Sequence, residues 1–559
     1  MDRSASAHVD PFCQSSLPPP EQWPELLPVP GVDYPAQLNA ATRLLSDTVA
    51  RLGRDRPALL TPHEQWSYGE LLDAADRVAH VLVDLGLVPG NRVLVRSPNS
   101  PWTVVAWLAV LKAGAVAVLT MPMLRQAELV TLIGLVEPDL ALCDSRLLDD
   151  LVAARDDVSP ALRVVPFGGS TEDDLVAQSA RWPAGFDDVE TAATDVALLA
   201  ATSGTTGRPK VTMHTHRDVL ASADTFSRQV LRAREDDVFA TSAPLAFTFG
   251  LGASLIFPLH AGATAFLMER ATPGELADAV ARHGVTVLST APTAYRAILA
   301  EGKADRLRSV RRLVSAGETL PRATWEGIHE ATGIRIIDGI GSTEMLHIFL
   351  AAADDDIRPG STGRAVPGYV ATTLDDEGVE TPPGVPGRLA VKGPTGCRYL
   401  HGDRQQVYVQ GGWNITGDTY IRDEDGYFWY QARSDDMIIS SGYNIAGPEV
   451  EAVLLECDEV LECAVVGLPD VERGQRVTAF VVPAPGAHAD DRLAERLQQH
   501  VKATLAPYKY PRTVSFVDEL PKTTTGKLQR FRLRSSVSSA PGAAVAGPAT
   551  TTTTSGRSS

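Results

Sequence analysis

A run of small hydroxylic residues and glycines, Thr202-Ser203-Gly204-Thr205-Thr206-Gly207, ends in Arg208-Pro209-Lys210. It has almost no side chain to bury, so its amides and hydroxyls can converge on one anion, as in loops that cradle phosphate. Arg208 and Lys210 add positive charge at the same end. The spacing is not that of the ordinary P-loop, G-x-x-x-x-G-K-[ST], which opens a helix. Pro209 also discourages the helix that would receive the phosphate. The apolar residues 196–200 predict a buried strand before the loop, and residues 211–214 a second strand after it. The loop is then the tip of a hairpin.

A second stretch, Gly339-Ile340-Gly341-Ser342-Thr343-Glu344, follows a strand predicted over residues 335–338 and ending at Asp338. A carboxylate among small residues at the carboxyl end of a strand is well placed to meet a ligand of an open α/β sheet. Near the far end of the chain lies Pro521-Lys522-Thr523-Thr524-Thr525-Gly526-Lys527. Together these stretches resemble the adenylate-forming superfamily of acyl- and aryl-CoA ligases, adenylation domains and luciferases, over residues 30–534.

The resemblance implies roles by position. Residues 202–207 and Lys210 would hold the phosphates of ATP. Glu344 would coordinate Mg²⁺ and Thr343 would touch the phosphates. Ser315-Ala316-Gly317-Glu318, with Asp338, Gly339 and Ile340, would border the adenine. The superfamily usually has a stacking aromatic where Ile340 stands. Asp418, in Thr416-Gly417-Asp418, and Arg433 would take the ribose, with Ala432 where a glycine is usual. Asp435 would be a hinge, Ser441, Gly442 and Tyr443 would border the CoA arm, and Lys527 would be the catalytic lysine.

The chemistry so implied is activation of a carboxylate. Its oxygen is a poor leaving group, so attack on the α-phosphate of ATP makes an acyl-adenylate, which a thiol then opens. Two anions must meet, and Mg²⁺, the phosphate loop and Lys527 would stabilise that transition state. Residues 244–252, 344–349 and 429–433 narrow the resemblance to the benzoate–CoA ligase group, most closely its 2-aminobenzoate-activating members. An aryl-acid slot would comprise Phe247, Thr248, Phe249, Gly250, Gly339, Gly341, His347 and Ile348. Phenylalanines and Ile348 would wall the ring, and the glycines would leave it room. Thr248 and His347 would meet an ortho substituent. The expected acids are 2-aminobenzoate, then salicylate and benzoate.

Positioning these residues needs more than one core. A chain of 559 residues predicts two or more domains, and 44% apolar residues suit a globular protein. Residues 38–85 read as mostly helical. Strand and helix signals then alternate to about residue 345, predicting α/β layers. Gly- and Pro-rich residues 359–425 suggest a small barrel-like subdomain. The expected organisation is a flexible arm over residues 1–30 and a multi-sheet adenylation domain over 31–434. A small mobile α+β domain would span 435–534, before a disordered tail over 535–559.

A formal charge of −18 with no long basic run excludes a nucleic-acid role. Five cysteines without a C-x-x-C pair fit free thiols in a reducing cytoplasm. No signal peptide is read. The most apolar stretch, residues 103–122, holds Lys112 and Gly114 and reads as helix then strand, not a membrane span. The expected partners are ATP, an aromatic carboxylic acid and coenzyme A, with a second copy as a possible homodimer partner. Competing readings are a stand-alone enzyme loading a carrier protein in trans, a nucleotide sensor without catalysis, and, remotely, a light-emitting oxygenase.

Overall fold

In the computed structural model, residues 5–169, 171–202, 209–402, 404–433, 436–440, 443–470, 473–505, 508–522 and 528–538 are described. Ser203, Gly204, Thr205, Thr206, Gly207, Asp435, Ser441, Gly442 and Lys527 lie outside them. The chain divides into two compact units, Met1–Asp435 and Asp436–Ser559.

Among the described residues, the large unit holds three sheets. The first runs Arg163–Phe167, Leu140–Asp144, Arg92–Arg96, Val116–Thr120, then β1 (Val196–Thr202) and β2 (Lys210–Thr215). All neighbours are parallel except β1 and β2, which form the expected hairpin. Arg92–Arg96, Val116–Thr120 and Leu140–Asp144 are buried throughout, as parallel strands covered on both faces must be. Helix Pro101–Lys112 feeds Val116–Thr120; it starts at a Ser100 cap with Pro101 in its first turn. Lys112 ends it in a buried ion pair with Asp76 (3.0 Å) and Asp188 (2.7 Å). No helix of the described residues is long and apolar enough to cross a membrane.

The second sheet has nine strands with a parallel centre. Its β3 (Ile336–Gly341) pairs parallel with Arg312–Ser315 and antiparallel with β4 (Ile348–Ala351). One end of this sheet lies in the region expected to be helical. Pro57–Leu60 and Gln65–Ser67 form a hairpin there, because the short run Ala58-Leu59-Leu60 packs beside Thr264–Phe266. The third sheet is five-stranded and antiparallel, an open sheet where a barrel was expected; it includes β5 (Trp413–Arg422) and β6 (Phe428–Arg433).

The N-terminal residues differ from the expected loose arm. Asp10 pairs with the buried Arg92, and Cys13 is fully buried in an apolar cluster with Val116 and Met213. Leu26 bridges to Gly393, and the amide of Glu25 donates to the Gly412 carbonyl at 2.9 Å. Prolines removed the helical period that marks packing, but they suit an extended strap.

In the small unit, Gly474–Pro483 lies centrally among Val460–Asp470, Thr513–Phe516 and Ile438–Ser440, with Tyr443–Ile445 outermost. Helices Gly447–Leu454 and Asp491–Thr504 cover one apolar cluster. Gln529 N–H donates to the Pro521 carbonyl at 2.8 Å, and Lys522 bridges to Leu528.

Candidate active site

Hairpin register sets the first side of the site. Thr202 faces Lys210 as the last register pair of the hairpin before residue 203. Lys210 is half-buried, and its ammonium is held below the usual lysine range by burial first and then by the charge of Arg404; Glu344 opposes the shift. Arg433 adds further positive potential at Lys210. Arg404, Arg433 and Glu344 thus all act on Lys210, an arrangement suited to a polyanion.

The second side is the turn after β3. That strand continues past Asp338 through Gly339, Ile340 and Gly341, because β4 folds back as its partner. Ser342 then caps a single 3₁₀ turn, Thr343–Met345, accepting from the Met345 amide at 3.2 Å. The turn is held from three directions. His214 Nε2 lies 2.8 Å from the Thr343 carbonyl oxygen, and since a carbonyl only accepts, the imidazole proton sits on Nε2. Burial holds His214 neutral, its pKa pushed down to about 4. Thr395 Oγ1 donates to the Met345 carbonyl at 2.8 Å, and the Tyr399 hydroxyl donates to Glu344 Oε1 at 2.6 Å. No motif pointed to His214, Thr395 or Tyr399, whose partners lie far away in sequence.

The remaining nucleotide candidates fall on neighbouring elements. Asp338 has an Oδ1 sealed from solvent without a hydrogen-bond partner, and burial raises its pKa to about 8. Gly317 occupies the left-handed region (φ +91°) just after Arg312–Ser315, with Glu318 beside it. Asp418 and Arg433 are register partners on β5 and β6, joined at 3.2 Å. Gly417 keeps room for that arginine: a Cβ there would lie 3.2 Å from Nη2.

The proposed aryl slot is partly rearranged. His347 is buried in a ring of aromatics, 4.5 Å from Phe257, 5.4 Å from Phe226 and 5.7 Å from Phe249 by ring centroids. Burial drives its pKa down to about 3, and the Phe249 backbone beside the ring opposes that shift. Phe247, Thr248 and Phe249 are half-buried, while Ile348 is buried. The glycines were expected to leave room for a ring. On the side where a Cβ would point, the chain itself is close: a Cβ at Gly250 would lie 2.1 Å from the Pro244 carbonyl oxygen. At Gly341 it would meet the His347 carbonyl oxygen at 2.6 Å, and at Gly339 the Ile348 side chain at 2.9 Å. These glycines let strands and loop pack closely, with Gly252 doing the same for the His347 ring (2.4 Å). Tyr443 lies on Tyr443–Ile445 in the small unit.

The profile of AMP-binding enzymes matches residues 45–399, and that of the AMP-binding enzyme C-terminal domain matches residues 449–527. The chain belongs to the AMP-binding enzyme family. Benzoate–CoA ligase of Thauera aromatica is 37% identical over 514 residues, covering 90% of this chain and 97% of that one. The crystal structure of the anthranilate CoA ligase AuaEII in complex with anthranoyl-AMP aligns with a TM-score of 0.86 at 34% identity. That match spans 90% of this chain and 98% of the other. A benzoate CoA ligase from Burkholderia xenovorans LB400 aligns with a TM-score of 0.81 at 35% identity, over 89% of this chain and 99% of its own. The fold of this family member is thus the α/β adenylate-forming one with a separate C-terminal domain, and its relatives include the benzoate–CoA ligase group.

Magnesium is the metal that the family implies. Among the described residues, no group of three or more His, Cys, Asp or Glu could hold an ion unaided. A lone Glu344 carboxylate, fixed through Oε1, suits a hard cation that brings phosphate oxygens and waters of its own.

Proposed function

We propose that the protein is an ATP-dependent aryl-CoA ligase. The observation that carries this reading is the fixed Thr343–Glu344 turn beside the hairpin base that carries Lys210, with the Asp418–Arg433 pair on adjoining strands. In the reaction, a carboxylate oxygen attacks the α-phosphorus of ATP and pyrophosphate leaves. The CoA thiol then attacks the acyl carbon, its proton is lost and AMP departs. Mg²⁺, held by Glu344, would neutralise phosphate charge. Lys210 and Arg433 would bind and orient the nucleotide, and Lys527 would meet the charge developing between the two anions. For thioester formation the small unit would turn about Asp435, withdrawing Lys527 and presenting residues 441–443 to the CoA arm.

The favoured acid is a flat benzoate with an ortho donor, 2-aminobenzoate first. Support comes from His347: a neutral imidazole buried among aromatic rings gains when an amino or hydroxyl group pairs with it. The test is kcat/KM for aryl-CoA formation across 2-aminobenzoate, salicylate, benzoate and fatty acids, in wild type and His347→Leu. The leucine variant should lose about tenfold of the preference for 2-aminobenzoate over benzoate. A fatty acid outperforming every benzoate would overturn the aryl reading. Transfer to a purified carrier protein but never to CoA would overturn the acceptor.

A further inference from the structure

One buried ring stands between the two charged halves of the site. The Tyr399 hydroxyl donates to Glu344 Oε1 at 2.6 Å, and the Lys210 ammonium lies 5.6 Å from the centroid of the same ring. Tyr399 is 3% exposed, and its surroundings hold it rigidly. Residues 398–400 lie along β2, which is the last strand of its sheet: Tyr399 bridges to Thr212. The Met213 amide donates to the Arg398 carbonyl at 2.8 Å, and the Leu400 amide to the Val211 carbonyl at 2.9 Å. Arg398 is locked in a buried ion pair with Asp218. The Tyr399 amide donates to Gln405 Oε1 at 3.0 Å, and its ring meets Tyr408 edge-on at 5.8 Å.

We propose that Tyr399 is the positioning residue for Glu344, holding Oε1 so that Oε2 is presented to the cation of a metal–nucleotide complex, and coupling that carboxylate to Lys210 through its ring. The inference rests on the function proposed above. A glutamate side chain has three rotatable bonds and can offer one oxygen or both. Mg²⁺ demands near-ideal octahedral geometry and usually takes one carboxylate oxygen alongside waters and phosphates. A donor fixed on Oε1 selects one-oxygen ligation before the nucleotide arrives, and such orienting partners tune metal affinity. A phenol hydroxyl facing a carboxylate oxygen can only donate to it. Lys210 within cation–π range of the ring ties the phosphate-binding ammonium to the same rigid group.

The experiment compares the full-length wild type with Tyr399→Phe, which keeps the ring and removes only the hydroxyl. Mn²⁺ binding in the presence of ATP is followed by electron paramagnetic resonance, alongside the Mg²⁺ concentration for half-maximal aryl-adenylate formation. Both should weaken by about 10- to 100-fold, while transfer from a supplied aryl-adenylate to CoA stays at the wild-type rate. Glu344→Gln and the double variant complete a cycle. If Tyr399 acts through Glu344, the double variant binds Mn²⁺ no more weakly than Glu344→Gln alone. Wild-type Mn²⁺ affinity in Tyr399→Phe, an additive double variant, or equal loss of both half-reactions would overturn the assignment. A wild type that adenylates no benzoate would instead refute the aryl-acid reading, with the Mn²⁺ cycle still deciding the role of Tyr399.

Discussion

In the proposed reaction Lys527 and Glu344 would answer the same electrostatic problem by different means, and only Lys527 belongs to the small unit. Lys527→Ala should abolish aryl-adenylate formation yet largely spare thioester formation from supplied aryl-adenylate and CoA. Single-turnover assays of each half-reaction check this, and an equal fall in both would remove the lysine from adenylation. The buried histidines make a separate prediction. His214, His216 and His347 have pKa values pushed down by burial to about 4, 3 and 3, from an ordinary 6.5. Below pH 6.5 the unfolded chain takes up protons that the folded chain refuses. Stability should therefore fall as pH drops from about 6.5 toward the folded values, by roughly 1.4 kcal/mol per pH unit for each histidine. Denaturant midpoints at pH 7, 6 and 5 should show His347→Leu with a shallower decline than wild type. An identical decline would mean that His347 is charged in the fold.

At the scale of elements, the β1–β2 hairpin was legible because an apolar run, a loop of small residues and Pro209 all point one way. Its partner element was only half legible. Gly339 and Gly341 carry no side chain to reveal periodicity, so β3 reads as ending at Asp338, and its last residues are strand only because β4 returns along them. The same blindness hid the clamp on Thr343–Met345. His214, Thr395 and Tyr399 act through the tertiary crossing of two sheets, which no local pattern encodes. Gly341→Ala tests how tightly β3 packs against β4 and the turn between them. Its Cβ would press on the His347 backbone, so β4 must shift. We expect a loss of about 1–3 kcal/mol in urea unfolding and weaker adenylation. Unchanged stability would mean that β3 and β4 have slack.

For the whole molecule, the break between Asp435 and Asp436 divides the chain into units that the proposed chemistry needs in two arrangements. Asp435→Pro fixes φ at the junction. Adenylation should persist while overall aryl-CoA turnover collapses; unchanged turnover would put the pivot elsewhere. The strap formed by residues 5–30 bears on a different matter, the order of synthesis. It leaves the ribosome before the third sheet is made. Its early contacts, Arg92 and Asn91, follow soon after, but Lys392, Gly393 and Gly412 are made hundreds of residues later. At 5–20 residues per second that is a wait of roughly 20–80 s. During that wait the segment from Glu25 to Leu27 has no native partner in the third sheet. A nascent chain stalled before residue 386 should therefore be cut by protease between residues 20 and 30, and the finished protein should resist the same cut.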